Sequence, residues 1–470
     1  MKMIALLQLL VLIGSVEANT GRYTRQTSGQ PLPMPSVYWA GSEQMLLNPA
    51  VFTFSLASTS QSCDILTDAF KRYFALTFPA YGKAHYANRE RFKRFSGKFD
   101  SHSGDSRVKG TAQKTMESLE MEKSTGKSLI ELSTLKVFVQ TGCNEKSYPN
   151  DQMKESYRLQ VNARESTAEL DAQEVWGALR GLETFSQLVF RDNELGRYAI
   201  NETHIEDNPR FPFRGFMIDT SRHYLPVKNI LEVIEALAEN KMNVLHWHIV
   251  DDQSFPYQSA GFPELSRYGA FHPLTHIYTQ ADVMRVIQFA RLRGVRVMPE
   301  WDTPGHTLSW GVFYKWLLTP CFMQSQSGQL VETGKYGPMN PTKNSTYEFM
   351  QDFLQEVTTL FHDPVVHTGG DEVNFDCWQS NPNITQFMKQ MGFGNDSWKL
   401  QSFYTKKVLN YLINNLGKRP VVWQEVFFNI FNSTRAQLKD AKQEIDLDKR
   451  VIIDIWDGDY LQGLEQVLEA

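Results

Sequence analysis

From about Phe211 onward the chain alternates short apolar runs with amphipathic helices, and this rhythm constrains the fold more than any other feature. The runs are Gly215-Phe216-Met217-Ile218, Val244 to Val250, Val295 to Met298, Val365-Val366-His367, Val421-Val422-Trp423 and Val451 to Trp456. Between them lie a helix carrying Ile230, Val233, Ile234 and Leu237, a helix Asp282 to Arg293 closed by Gly294, a helix Tyr347 to Phe361 and a helix around Leu400 to Leu416. Continuous apolar runs separated by helix-period segments predict a parallel sheet with both faces covered. Polar or aromatic residues follow each run: Asp219, Asp251-Asp252, Glu300-Trp301-Asp302, Asp371-Glu372, Gln424-Glu425 and Trp456-Asp457. Chemistry gathered at the C-terminal ends of parallel strands marks a (β/α)8 barrel or a doubly wound sheet. There is no GxGxxG or P-loop to favour a nucleotide-binding sheet, so a TIM barrel is the expectation, with about six strands counted.

The segment before it, 19–207, has a different texture. Candidate strands Val51 to Ser55, Leu135 to Gln140 and Tyr157 to Val161 mix with helices. The clearest helix begins near Asp171, with Val175, Leu179, Leu182 and Val189 on one stripe. This reads as a smaller α+β domain. Within it, about 88–128 is rich in Lys, Arg, Ser and Gly and poor in aliphatic residues, the composition of an exposed insertion open to proteolytic processing. The formal charge of −5 and the acids interspersed in that insertion argue against a nucleic-acid partner.

Residues 1–18 have the anatomy of a secretory signal: Lys2, an apolar run Ile4 to Ile13, then Val16-Glu17-Ala18 as a cleavage site. That run is too short for a stable membrane span, and no other stretch is long enough. In a secreted chain four cysteines favour two disulfides. Order along the chain suggests Cys63–Cys143 and Cys321–Cys377, although three pairings are open. Sequons at Asn201, Asn344, Asn383, Asn395 and Asn432 fit the same compartment.

Asp371 and Glu372 come after a strand and two glycines. In extended backbone, consecutive side chains point to opposite faces, so two adjacent acids do not straddle a glycosidic bond as separated carboxylates do. One donating a proton while the other holds part of the substrate resolves the difficulty. His246 and His248 form a His-x-His strand pattern, but no third ligand is visible; barrel-interior packing is expected, with no metal and no cofactor.

Several long motifs in order carry a resemblance: Asp219 to Pro226, His246 to Asp252, Asp302-Thr303-Pro304-Gly305-His306, Gly369 to Glu372 and Val421 to Glu425. Together they resemble the family 20 glycoside hydrolases, the β-N-acetylhexosaminidases, and look most like the animal lysosomal α and β subunits. The resemblance implies retaining hydrolysis of terminal non-reducing N-acetylhexosamine residues, with the substrate's own 2-acetamido oxygen as nucleophile. Glu372 is then the proton donor, and Asp371 the carboxylate that orients the acetamide. Arg222 would grip sugar hydroxyls, or else pair with a nearby Asp. Asp251 and His306 would act as a pair beside the acid, and Trp423 and Trp456 would line the sugar pocket. Cys321–Cys377 would tie the loops after the third and fourth barrel strands.

The implied partners are glycans or glycolipids ending in N-acetylglucosamine or N-acetylgalactosamine, with pairing as a homo- or heterodimer. The implied location is the secretory pathway, either the lysosome or outside the cell. The resemblance also implies two further strands beyond Ala470, bringing a Tyr, an Asn, a Trp–Glu motif and a third disulfide. A second reading, from that shortfall, is a catalytically impaired isoform that binds sugar weakly or pairs with a complete subunit.

Overall fold

The computed structural model describes residues 29–79, 81, 130–191, 197–428 and 448–458. The signal segment, the 88–128 insertion and Asn432 lie outside the described residues. The chain divides into two compact units, the first drawn mainly from residues up to Asn208 and the second mainly from Pro209 onward.

The first unit holds a mixed sheet of β1 (Val37–Leu47), β2 (Thr53–Leu56), β3 (Ile130–Glu131), β4 (Thr134–Val139), β5 (Tyr157–Asn162), β6 (Thr167–Ala172), β7 (Phe190–Arg191) and β8 (Tyr198–Asp207). The order is β2-β4-β6-β5-β8-β1-β3, with β7 on β8. Strands β5 and β6 alternate buried and more exposed residues, as a sheet with one face on the core requires. Helix α1 (Asp64–Thr77) precedes β3, and α2 (Val175–Leu188) follows β6. Leu179, Leu182 and Phe185 of α2 are fully buried, together with Leu159 and Leu170 of the sheet.

The second unit is a curled, all-parallel sheet of six strands in sequential order: β9 (Gly215–Asp219), β10 (Val244–Val250), β11 (Arg296–Trp301), β14 (Val365–His367), β15 (Arg419–Trp423) and β16 (Ile452–Asp454). Between β11 and β14 a separate antiparallel hairpin forms from β12 (Leu318–Gln324) and β13 (Leu330–Met339). Helices α3 (Val227–Glu239), α4 (Glu264–Gly269), α5 (Gln280–Arg291), α6 (Asn344–Leu360), α7 (Asp376–Ser380), α8 (Pro382–Gln390) and α9 (Ser397–Asn414) fill the connections. Every residue of β10 and β11 is buried, which explains their largely apolar runs, interrupted only by the polar residues His246, His248, Arg296 and Glu300. Thr279 and Asp282 cap α5 reciprocally, and Gly294 leaves it at φ +64. The core beneath the helices joins Trp247, Trp301, Phe353 and Phe361, with Trp301 and Phe353 edge to face at 5.0 Å.

Both expected disulfides are present, Cys63–Cys143 and Cys321–Cys377. The second joins β12 to α7, and so ties the segment after β11 to the segment after β14. Of the sequons, Asn344, Asn383 and Asn395 are exposed, whereas Asn201 lies half-buried on β8 with its Oδ1 enclosed. No helix among the described residues is long and apolar enough to cross a membrane.

Candidate active site

Strand β14 stops at His367, and the backbone beyond it turns rather than staying extended. Gly369 and Gly370 have φ of +67° and +100°. A Cβ on Gly369 would fall 1.8 Å from Asp302 Oδ1, and one on Gly370 would fall 2.4 Å from Val426 Cγ2. Neither position tolerates a side chain. Glu372 itself is left-handed at φ +47. The opposite-face geometry of an extended strand therefore does not govern Asp371 and Glu372. Their carboxylates turn to the same histidine: His306 Nε2 lies 3.8 Å from Asp371 Oδ2 and 3.7 Å from Glu372 Oε2. Glu372 is 61% exposed at its side chain and Asp371 only 16%.

His306 stands on the loop after β11, also left-handed at φ +54. Its Nδ1 lies 3.1 Å from Asp251 Oδ1, while the buried Nε2 has no hydrogen-bond partner and faces the acids. Burial alone would lower its proton affinity; the bond to Asp251 and the charges of Asp251, Asp371 and Asp252 outweigh that and raise it. Asp251, at the end of β10, is completely buried. It accepts from the Asp252 backbone N–H at 2.6 Å, faces His248 Nε2 at 2.9 Å and pairs with Arg222 Nη2 at 2.7 Å. Burial pushes its carboxyl up, but the donors win and hold it well below the usual carboxylate range. Arg222 also donates to Asp219 Oδ2 at 2.8 Å and keeps 38% of its side chain exposed. The ion pairing considered for it is thus realised, with part of the guanidinium still open to the site.

His246 and His248 point inward from β10, as expected, yet packing is only part of their role. Glu300, fully buried on β11, lies 2.6 Å from His246 Nε2, 2.9 Å from His248 Nδ1 and 3.4 Å from His367 Nδ1. It also accepts from Trp423 Nε1 at 2.8 Å. Burial opposes its ionisation, but the surrounding imidazoles hold its carboxyl well below the usual range. Asp302 is the opposite case. Burial, then the charges of Asp371 and Glu300, push it well above that range and favour a hydrogen bond shared with Asp371. Its Oδ1 also accepts from the Gly370 N–H at 2.8 Å. Glu300, Asp302 and Glu425 all stand at strand ends, but nothing in a linear sequence marks one carboxylate as held below its usual range in the interior and another as pushed above it.

Trp423 is buried among these groups, its ring centroid 4.4 Å from that of His367. Trp456 is half exposed and donates Nε1 to both oxygens of Glu425, at 3.0 and 3.1 Å. Among the described residues, three groupings bring ligand-type atoms within 4.8 Å of one another: His246–Glu300–His367, Asp251–Asp252–His306 and Asp302–His306–Asp371. In the first, both Glu300 oxygens are already engaged by ring N–H groups, which an ion would have to displace. Beside the acid, a 520 Å³ cavity is lined by Glu372, His306, Asp252, Tyr336, Asn374 and Asp376, among others.

A parallel sheet whose strand ends gather two adjacent carboxylates, a paired histidine and an arginine defines a carbohydrate-cleaving class of site. Residues 211–470 match the catalytic domain of glycosyl hydrolase family 20, and residues 31–188 match a β-acetyl hexosaminidase-like domain. The β-hexosaminidase subunit beta of Rattus norvegicus is 43% identical over 439 residues, spanning 93% of this chain and 71% of that relative. Its Homo sapiens counterpart is 45% identical over 471 residues, spanning 99% and 74%. The solved chitobiase of Flavobacterium johnsoniae has the same fold at a TM-score of 0.66 and 24% identity, covering 93% of this chain and 57% of its own. The chain belongs to glycosyl hydrolase family 20, a family of glycoside hydrolases.

Proposed function

We propose that this chain hydrolyses terminal non-reducing N-acetylhexosamine residues from glycans or glycolipids, with the substrate's acetamide as nucleophile. The observation that carries the reading is the convergence of Asp371 and Glu372 on His306 from adjacent positions. Two acids this close serve different atoms of one sugar more readily than opposite faces of one bond. Glu372, exposed at the rim, protonates the glycosidic oxygen as the C–O bond breaks. Asp371, enclosed and hydrogen-bonded with Asp302, holds the acetamide N–H and balances the positive charge of the oxazolinium ion formed when the carbonyl oxygen attacks. Water activated by Glu372 then opens that ring with net retention. Arg222 steadies sugar hydroxyls with the part of its fork left open, and the half-exposed Trp456 offers an apolar face to the pyranose, while the buried Trp423 backs the sugar pocket from behind. Asp251 and His306 sit behind the acid and tune it.

The names of the curated relatives support the substrate class, and their designation as subunits supports pairing with a second copy or a related chain. The signal-like N-terminus and the lysosomal resemblance support passage through the secretory pathway to the lysosome. The test is hydrolysis of aryl N-acetylglucosaminides with successively fluorinated acetyl groups. Acetamide participation predicts a steep fall in kcat with each fluorine, because the carbonyl oxygen becomes a poorer nucleophile; a flat series would mean that a protein carboxylate attacks instead.

A further inference from the structure

The strand residues beneath the acid form a chain of contacts that the acid–base reading does not use. Both ring nitrogens of His248 face carboxylate oxygens, Nδ1 at 2.9 Å from Glu300 Oε2 and Nε2 at 2.9 Å from Asp251 Oδ2. Ionised carboxylates only accept, and a neutral imidazole has one N–H, so the ring satisfies both neighbours only as an imidazolium. Beyond it, Asp251 Oδ1 holds His306 Nδ1, and His306 Nε2 faces Glu372. The charges alternate from the barrel interior to the rim.

We propose that Glu300 and His248 are positioning residues for Glu372, the inner half of a relay Glu300–His248–Asp251–His306 that fixes the outer imidazole against the acid. The proposal rests on reading Glu372 as the proton donor. When its proton passes to the glycosidic oxygen, a carboxylate is left facing the N–H of His306. The better that imidazole is held, the more that carboxylate is stabilised. No proton moves along the relay. Its inner members keep Asp251 ionised and directed at His306 rather than turned wholly to Arg222.

The groups facing His248 are Glu300 on β11, Asp251 after β10, Arg222 (Nη1 at 3.2 Å from Nε2) and Asp219 after β9, with His246 and His367 on neighbouring strand positions. Burial works against its charge, but the charge of Glu300 and the hydrogen bonds the ring donates to both carboxylates outweigh that and push it up to about 10.

The test compares two leaving groups. A sugar leaves only with protonic help, whereas a dinitrophenolate needs little. General acid catalysis contributes roughly 10²–10⁴-fold, so Glu300→Gln and His248→Asn are each expected to lower kcat for N,N′-diacetylchitobiose about 30-fold and for the dinitrophenyl N-acetylglucosaminide less than about 3-fold, at little cost in KM. Equal losses on both substrates would overturn the relay and leave a structural role only. Should the variants not fold, ¹⁵N-histidine spectra of the unmutated protein decide: one ring protonated on both nitrogens at pH values about two units above the ordinary histidine range supports the relay, and the lack of any such ring overturns it. If Glu372→Gln itself depresses both substrates equally, the acid assignment fails and the relay falls with it.

Discussion

The rim and the interior of the same sheet each present a glutamate, and the two are held in opposite ways. Glu372 is 61% exposed and placed chiefly by its backbone, at φ +47 after two glycines that admit no side chain, with His306 as its ion-pair partner at 3.7 Å. Glu300 is fully buried and placed by side chains, with His246, His248 and Trp423 all within 2.9 Å of its oxygens. A rim acid has to reach solvent and substrate, so its precision comes from a strained turn; an interior acid can be fixed by donors at the cost of desolvation. The first kind of residue is expected to be spent on rate and the second on stability. Removing one of each is the sharpest way to break the comparison. Glu372→Gln should lower kcat for a sugar leaving group by about 10³-fold or more while the unfolding free energy stays within about 0.5 kcal/mol, read by steady-state kinetics and urea titration. A comparable loss of stability would mean that the rim acid is structural after all.

Glu300→Ala reverses the pattern. It strands the charge of His248 in the interior and removes acceptors from His246 and Trp423, so a cost of about 3–5 kcal/mol is expected in denaturant unfolding. Any loss of activity beyond the unfolded fraction then belongs to the positioning role.

The interior also sets a pH window. His248 is raised from its ordinary 6.5 to about 10, so folding binds its proton more tightly than the unfolded chain does. Its contribution is complete below about pH 6.5 and is lost as pH rises toward 10, with a slope of at most about 1.4 kcal/mol per pH unit. His367 works at the other end. Burial, against the pull of Glu300, lowers it to about 3, so stability is lost as pH falls from about 6.5 toward 3 because the unfolded chain takes up the proton first. Both signs place the optimum near pH 6.5. A thermal-melt series that keeps rising between pH 7 and pH 9 would contradict the imidazolium at His248.

The contrast also separates what was legible in sequence from what was not. All six parallel strands could be read because each is a short, mostly apolar run; β10 and β11 are buried along their whole length, and the two histidines of Val244 to Val250 are the interruption that points into the site. The β12–β13 hairpin escaped because it is half exposed and broken by Pro320, Gly334 and Gly337, so it carries neither period. At the site, Asp371 and Glu372 stood out because adjacency is itself a linear property. Glu300 and Asp302 did not, because their ionisation states depend on which imidazoles and carboxylates fold around them. His246 and His248 were legible as interior residues, but their partners lie on other strands. The expectation of opposite faces for the two acids failed for a local reason: the strand ends at His367, before the glycines that turn the chain toward Asp371.

The two tryptophans repeat the rim-and-interior contrast at a smaller scale and give the mildest test. Trp423 is buried and its N–H satisfies Glu300; Trp456 is half exposed and its N–H reaches Glu425, a carboxyl raised chiefly by partial burial. Replacing Trp by Phe keeps an apolar ring face but deletes the donor. In the interior that leaves a buried charged acceptor short of a partner, so Trp423→Phe is expected to cost about 1–3 kcal/mol of stability. At the rim, water can replace the donor, so Trp456→Phe should change stability by less than about 0.5 kcal/mol and KM by no more than about threefold. Trp456→Ala removes the ring face as well and should raise KM about tenfold, the equivalent of roughly 1.4 kcal/mol of stacking. If Phe and Ala at 456 raised KM equally, the N–H rather than the ring face would be what the sugar uses.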